Sequence, residues 1–298
     1  MRISGKEISL QLREQMREEV VDLVARYGRK PCLAVILVGD NPASVTYVRN
    51  KVKASEYCGI DSLLITLPET TTENELLQHI AECNANDKVD AIIVQLPLPA
   101  HMDASKVIFA IHPEKDVDGF HPSNVARLWL EQPVNHGGKL TYNWTIPCTP
   151  RGIIALLEHS GVALEGKRAV VVGRSNIVGK PVAKLLMDRN CTVTICHSKT
   201  QNLSQICKDA DILVVAVGHA HLIQAECVKK GAVVIDVGIN RLPDGRLCGD
   251  VNTADVEPIA HAVTPVPGGV GPMTVTMLMR NTIDCYLRRM NTSSNTTE

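Results

Sequence analysis

Val170 to Pro181 reads V-V-V-G-R-S-N-I-V-G-K-P. An apolar β-branched run breaks at Gly173, crosses a polar turn and resumes at Gly179-Lys180-Pro181, where proline fits the first turn of a helix. That is a strand, a tight turn and a helix N-terminus. Helix N-termini leave N–H groups free and carry partial positive charge, so such a turn can seat a pyrophosphate. Its spacing, G-x-S-x-x-x-G, departs from the usual G-x-G-x-x-G. The stretch alone therefore leaves a plain strand-to-helix turn and a dinucleotide site both open.

Around this turn the pattern repeats. Strands are expected at 168–172, 192–196, 211–217 and 232–237 with short helical stretches between them, which makes this half Rossmann-like. Upstream, Glu7 to Tyr27 carries apolar residues at spacings of three and four and stops at Gly28, an amphipathic helix with a glycine cap. Cys32 to Val38 reads as a buried strand, and Leu63 to Leu67 as another. Between them, Asn41-Pro42 opens a helix that ends at Cys58-Gly59, and Thr72-x-x-Glu75 predicts a capping box before a third helix. Val89 to Leu96 is the next strand. Helix, strand, helix, strand, helix, strand is the signature of an α/β layer on a mostly parallel sheet.

From Asp103 to Pro150 the pattern loosens, and the interdomain connection is placed there. The expected organisation is an α/β domain at 1–146, a Rossmann-like domain at 147–272, a returning helix at 273–290 and a disordered polar tail at 291–298. A formal charge of −1, from 31 basic and 32 acidic residues, leaves no electrostatic footprint for nucleic acid. No run approaches the roughly 20 apolar residues that span a membrane. Ten cysteines scattered singly, with no C-x-x-C and no signal peptide, read as reduced thiols in a cytoplasmic protein. A small-molecule partner fits best.

Three places could carry chemistry. Tyr47 and Lys51 stand four apart, so on a helix they project from one face. Gln95 lies at the C-terminal end of a buried strand, where open α/β sheets place ligands; it is either a satisfied loop amide or a ligand contact. Asp116 and Asp118 sit in a turn-like setting, but His112 and His121 nearby have no ligand spacing, and no metal is expected.

Y-V-R-N-K at 47–51, V-Q-L-P-L-P at 94–99, K-D-V-D-G-F at 115–120, G-R-S-N-I-V-G-K-P at 173–181 and T-P-V-P-G-G-V-G-P-M-T at 264–274 occur in this order. With these motifs the chain resembles, over nearly its whole length, the bifunctional methylenetetrahydrofolate dehydrogenase/methenyltetrahydrofolate cyclohydrolase family of the bacterial FolD type. The resemblance implies NADP-dependent oxidation of 5,10-methylenetetrahydrofolate, hydrolysis of the methenyl product to 10-formyltetrahydrofolate, a cleft between two domains, and a homodimer. It implies that Lys51 is the cyclohydrolase residue, with Tyr47 and Gln95 beside it, and that Asp118 holds the pterin. Val94, Gln95, Leu96, Pro267, Gly268, Gly269, Val270 and Gly271 would border the folate. Gly173, Arg174, Ser175, Ile177, Ser198, Gly218 and Ile239 would contact the cofactor.

Two points of chemistry bear on these expectations. To act neutral near pH 7, Lys51 would need its pKa lowered from about 10.4, at a cost of about 4 kcal/mol, which burial beside a cation can supply. A charged Lys51 that polarises water or ring is the other reading. NAD-specific sites usually carry Asp or Glu about 20 residues past the glycines; here Cys196-His197-Ser198-Lys199-Thr200 offers donors and no carboxylate, with Arg174 in the turn, so NADP is expected over NAD. The rivals are a dehydrogenase without cyclohydrolase activity and a non-catalytic NADP-binding sensor. Tyr47, Lys51, Gln95 and Asp118 disfavour both. The stretch from Leu130 to Ile146, with Asn135-His-Gly-Gly138, is longer than usual for the family, and the late start at Met1 predicts a shortened or absent N-terminal strand.

Overall fold

In the computed structural model, which describes residues 1–137 and 139–294, the chain opens in strict helix–strand alternation. Its elements are α1 (Gly5–Tyr27), β1 (Cys32–Val38), α2 (Pro42–Tyr57), β2 (Asp61–Leu67), α3 (Glu73–Ala85) and β3 (Ala91–Val94). The three strands form a parallel sheet in the order β2-β1-β3. β1 is central, and Leu33 to Ile36 are fully buried on it. Leu76, Ile80 and Cys83 of α3 pack on Ala34, Ile36 and Ile92 to close this core. The capping box forms as the sequence predicts: Glu75 N–H reaches Thr72 Oγ1 at 3.3 Å, and Thr72 N–H reaches Glu75 Oε2 at 2.7 Å.

β2 corrects one expectation. Among the described residues it pairs only with β1 and is an edge strand, and Leu63 and Leu64 are exposed rather than buried. The loosened stretch also holds more structure than its pattern suggests: α4 (Ala104–Ala110), α5 (Pro122–Leu130) and a hairpin of β4 (Val134–His136) with β5 (Lys139–Thr141). These elements are too short to display a hydrophobic period, and caps define them instead. Asp103 Oδ1 accepts from the Ser105 N–H, and His121 Nδ1 from the Ser123 N–H. Gly138, in the hairpin, lies outside the described residues.

The second alternation comprises α6 (Cys148–His159), β6 (Arg168–Val172), α7 (Gly179–Met187), β7 (Thr192–Cys196), α8 (Leu203–Lys208), β8 (Ile212–Val215), β9 (Val233–Asp236), a short hairpin of β10 (Asn240–Arg241) and β11 (Leu247–Cys248), α9 (Thr253–Val256), β12 (Ala262–Val263) and α10 (Val270–Ser294). Five strands make a parallel sheet in the order β12-β9-β8-β6-β7. Every residue of β8 and β9 is buried, as parallel strands covered on both faces require.

By contact the chain divides into two compact units. One comprises Met1–Leu10 and Thr149–Thr274, and the other comprises Gln11–Cys148 and the chain from Val275 on. The first residues join the five-stranded sheet because Ile3 N–H bonds the Val263 carbonyl at 2.9 Å and Lys6 N–H bonds that of Gly268 at 3.0 Å. The N-terminal strand is reduced to a single bridge between Arg2 and Val263. α10 starts before the expected residue 273 and continues past 290. Thr292 Oγ1 bonds back to the Arg288 carbonyl and Asn291 receives the Tyr27 hydroxyl, so the polar start of the expected tail is helical. Residues 295–298 lie outside the described residues. All ten cysteines are free and nine of them are buried. No helix among the described residues is long and apolar enough to cross a membrane.

Candidate active site and cofactor site

The first cluster is built on the three-stranded sheet. Asn41 caps α2 by accepting the Ala43 N–H at 3.0 Å, and Pro42 follows at the first helical position. The helix carries Tyr47, half exposed, and, one turn on, Lys51, which is partly buried. Gln95 follows β3 directly and is anchored by its own N–H to the Ile36 carbonyl at 2.8 Å. Its Nε2 donates to the Leu96 carbonyl at 2.6 Å, which turns Oε1 toward Lys51; Lys51 Nζ donates to that oxygen at 2.8 Å. Both ends of the Gln95 amide are thus hydrogen-bonded, one of them to Lys51.

Asp118 reaches this pair on a loop held from four sides. Ile92 N–H on β3 bonds the Lys115 carbonyl at 2.7 Å, which lays the loop beside the strand. Lys115 is buried, and its ammonium donates to the carbonyls of Cys83, Asn84 and Asn86 at 2.8–3.0 Å, capping the C-terminus of α3. The Asp116 carboxylate accepts the N–H groups of Gly119 and His121 and the Asn124 amide. Asn281 of α10 donates to both the Val117 and Ile146 carbonyls at 2.8 Å. Gly119 takes φ +70°, and a Cβ there would sit 2.9 Å from Pro147 N, so the turn requires glycine.

The electrostatics follow from this enclosure. Burial pushes the Lys51 ammonium below its ordinary pKa, and the charges of Asp118 and Cys148 pull it partly back. Burial likewise pushes the Asp118 carboxyl up to about 6, with Lys51 opposing that shift and Asp116 adding to it. Cys148, whose thiol lies 3.5 Å from the Val117 carbonyl, completes the neighbourhood. An amine whose charge is destabilised by burial, hydrogen-bonded to an amide and beside a carboxyl of raised pKa, gives up its proton more readily than an ordinary lysine does.

The second cluster lies at the C-terminal edge of the five-stranded sheet. Gly173 has φ +127°, and a Cβ on it would stand 2.3 Å from the Ala216 carbonyl oxygen; one on Gly179 would stand 2.2 Å from the Gly173 oxygen. Only glycine permits this turn. Ser175 Oγ accepts the N–H groups of Val178 and Gly179 at 3.1 and 3.2 Å, so its oxygen clasps the start of α7 while its hydroxyl proton remains available to donate. Arg174, Ile177, Ser198 and Ile239 are exposed. β7 ends at Cys196, and the following turn is closed by Lys199 N–H to His197 Nδ1, with no carboxylate in it. Gly218, at φ +68°, follows β8. These groups fit a dinucleotide phosphate: glycine backbone, a helix N-terminus and a free guanidinium side.

The structure thus brings Lys51, Gln95 and Asp118 together, with Tyr47 one turn away and Val94 and Leu96 flanking Gln95. It gathers the Gly173 turn, Ser198, Gly218 and Ile239 at one sheet edge. Pro267 to Gly271 belong to the same unit as that edge. There Gly269 is packed so closely that a Cβ would meet the Pro265 oxygen at 2.5 Å. Asn124, Asn281 and Cys148 escaped the sequence reading. Asn124 ties α5 to the loop before it, Cys148 and Asn281 join segments far apart in the chain, and no local spacing signals any of them.

Residues 3–118 match the family described as tetrahydrofolate dehydrogenase/cyclohydrolase, catalytic domain, and residues 147–290 match its NAD(P)-binding domain. Among curated proteins, the bifunctional protein FolD of Listeria innocua is 54% identical over 286 residues, 96% of this chain and 97% of that protein. The one from Streptococcus pneumoniae is 52% identical over 97% of this chain and 98% of its own length. The crystal structure of FolD from Campylobacter jejuni superposes with a TM-score of 0.91 at 46% identity, covering 97% of this chain and 99% of that one. The Trypanosoma brucei enzyme, solved with NADP cofactor and an inhibitor, gives 0.89 at 39% identity and covers 97% and 98%.

Proposed function

This chain belongs to the tetrahydrofolate dehydrogenase/cyclohydrolase family, and from that premise we propose that it oxidises 5,10-methylenetetrahydrofolate with NADP and hydrolyses the resulting methenyl cation to 10-formyltetrahydrofolate. The observation that carries the reading is the Lys51–Gln95 hydrogen bond beside Asp118.

The oxidation needs no strong acid or base. Lone pairs on N5 and N10 expel hydride from the bridging carbon, and the cation left behind is delocalised over both nitrogens. Bound NADP supplies the hydride acceptor. The protein's part is alignment, worth several kcal/mol of barrier. The Gly173 turn and the start of α7 bind the pyrophosphate, and Arg174 and Ser198 bind the 2′-phosphate. Two charge-assisted hydrogen bonds at about 1.5 kcal/mol each give a preference for NADP on the order of a hundredfold.

The hydrolysis moves protons. Water adds to the methenyl carbon, the C–N5 bond breaks as the formyl carbonyl forms, one water proton ends on N5 and the other is released. Lys51, its charge destabilised by burial, takes the proton from the adding water, and Gln95 holds Nζ in place for it. Asp118 hydrogen-bonds the pterin, with Tyr47, Val94, Leu96 and Pro267 to Gly271 bordering the folate. Family resemblance supports a cytoplasmic protein and a homodimer; light scattering of the purified protein tests the dimer.

The test of the whole reading is an assay with methylenetetrahydrofolate, run with NADP and with NAD, following methenyl formation and hydrolysis separately. Both steps should proceed, with NADP strongly favoured. Oxidation without hydrolysis would leave a plain dehydrogenase, and comparable efficiency with both cofactors would overturn the cofactor assignment.

A further inference from the structure

Two fully buried aspartates lie under the edge where the cofactor is placed, and the reaction described above uses neither. Asp250 accepts four hydrogen bonds. Its Oδ2 takes the N–H groups of Val217 and Gly218 at 2.7 and 2.9 Å, and its Oδ1 takes the His219 N–H at 2.8 Å and the Asn240 side-chain amide at 2.9 Å. Asp236, at the end of β9, holds Asp250 in turn: its Oδ1 accepts the Asp250 N–H at 2.9 Å and the Gly238 N–H at 3.0 Å, and its Oδ2 accepts that of Val251 at 3.0 Å.

The chain is shaped to let these carboxylates approach the backbone. A Cβ on Gly238 would stand 2.3 Å from Asp250 Cγ, and one on Gly249 would stand 1.8 Å from Asp236 Oδ2. Three successive N–H groups converging on one point make a concavity that attracts an anion. Here the anion is a side chain of the protein itself. Burying it would be costly without those donors, so the carboxylate and the turn fix each other. The turn bearing Gly218 leaves β8, and the segment bearing Ile239 leaves β9. Both strands end at the sheet edge that carries the Gly173 turn.

We propose that Asp250 is a positioning residue of the cofactor site: one carboxylate sets the Val217–His219 turn and the Ile239–Asn240 segment, and Asp236 sets Asp250. A further consequence is that the amides of residues 217–219 are occupied, which leaves pyrophosphate binding to the Gly173 turn and the start of α7. The proposal rests on the NADP reading given above.

The test is Asp250→Asn, which keeps the shape but turns an amide donor toward N–H groups that need an acceptor. NADP affinity is measured by titration calorimetry on wild type and variant, alongside the steady-state KM for NADP and cyclohydrolase turnover on supplied methenyltetrahydrofolate. The proposal expects Kd and KM for NADP to rise about tenfold or more, the scale of a disturbed charge-assisted hydrogen bond, while cyclohydrolase turnover stays within about twofold. Wild-type NADP affinity in the folded variant overturns it, as does an equal fall in both activities. If Asp250→Asn does not fold, Asn240→Ala decides, because it removes one of the four bonds. A severalfold rise in KM for NADP at wild-type cyclohydrolase turnover supports the proposal, and an unchanged KM overturns it. Failure of the wild type itself to bind NADP would instead refute the cofactor reading.

Discussion

Gln95 Oε1 accepts a hydrogen bond from Lys51 Nζ at 2.8 Å, joining the end of β3 to the middle of α2. The amide cannot swing away, because its nitrogen is bonded to the next residue's carbonyl. The amine therefore has a fixed position and a neutral partner, which leaves burial as the dominant influence on its charge.

Replacing that neutral partner with a charged one should change the protonation of Lys51. Gln95→Glu places a carboxylate against the ammonium and raises its pKa. Cyclohydrolase turnover should fall on the order of a hundredfold at pH 7, and the rising limb of its pH profile should move to higher pH. A profile that superposes on the wild type would remove Lys51 from proton transfer.

Asp118 makes stability depend on pH in a defined direction. Its carboxyl is raised from the usual 3.8 to about 6 in the folded protein, so the folded state binds the proton more tightly than the unfolded state. The resulting stabilisation is complete below pH 4 and is lost as pH rises from about 4 to 6. Asp118→Asn does not titrate. The melting temperature of wild type minus that of the variant should therefore fall across this window and stay flat above it.

Arg174→Ala and Ser198→Ala should each raise the KM for NADP about tenfold, the value of one charge-assisted hydrogen bond to phosphate, and leave the KM for NAD little changed. Steady-state kinetics with both cofactors checks this. An equal effect on NAD would move these residues from the 2′-phosphate to a part common to both cofactors.

Asn281→Ala removes the amide that donates to the Val117 and Ile146 carbonyls, leaving Val117 only the weak Cys148 thiol. A loss of about 2–4 kcal/mol in urea unfolding is expected, with a raised KM for the folate because the loop carrying Asp118 loosens. The KM for NADP should not change.

Much of this protein is legible along the chain because its signals are local. The turn at Gly173, the Asn41 and Thr72 caps and the parallel strands each rest on residues within a few positions of one another, and Tyr47 and Lys51 follow from helical spacing. The rest depends on distance. Asp116 reads as a turn aspartate or a metal candidate, yet it is an acceptor for Gly119, His121 and Asn124. Asp250 meets Val217 and Asn281 meets Val117 only after the sheets have formed. β2 carries the apolar composition of a buried strand, but its place at the edge is set by pairing, which composition does not encode.

The central claim is that Lys51 serves hydrolysis and is dispensable for oxidation. Lys51→Met removes the amine and keeps an unbranched side chain of similar length. Given methylenetetrahydrofolate and NADP, this variant should form the methenyl product at a rate within about tenfold of wild type and accumulate it, with hydrolysis reduced by about a hundredfold or more. Methenyl product that disappears at the wild-type rate in a folded Lys51→Met protein would contradict the account.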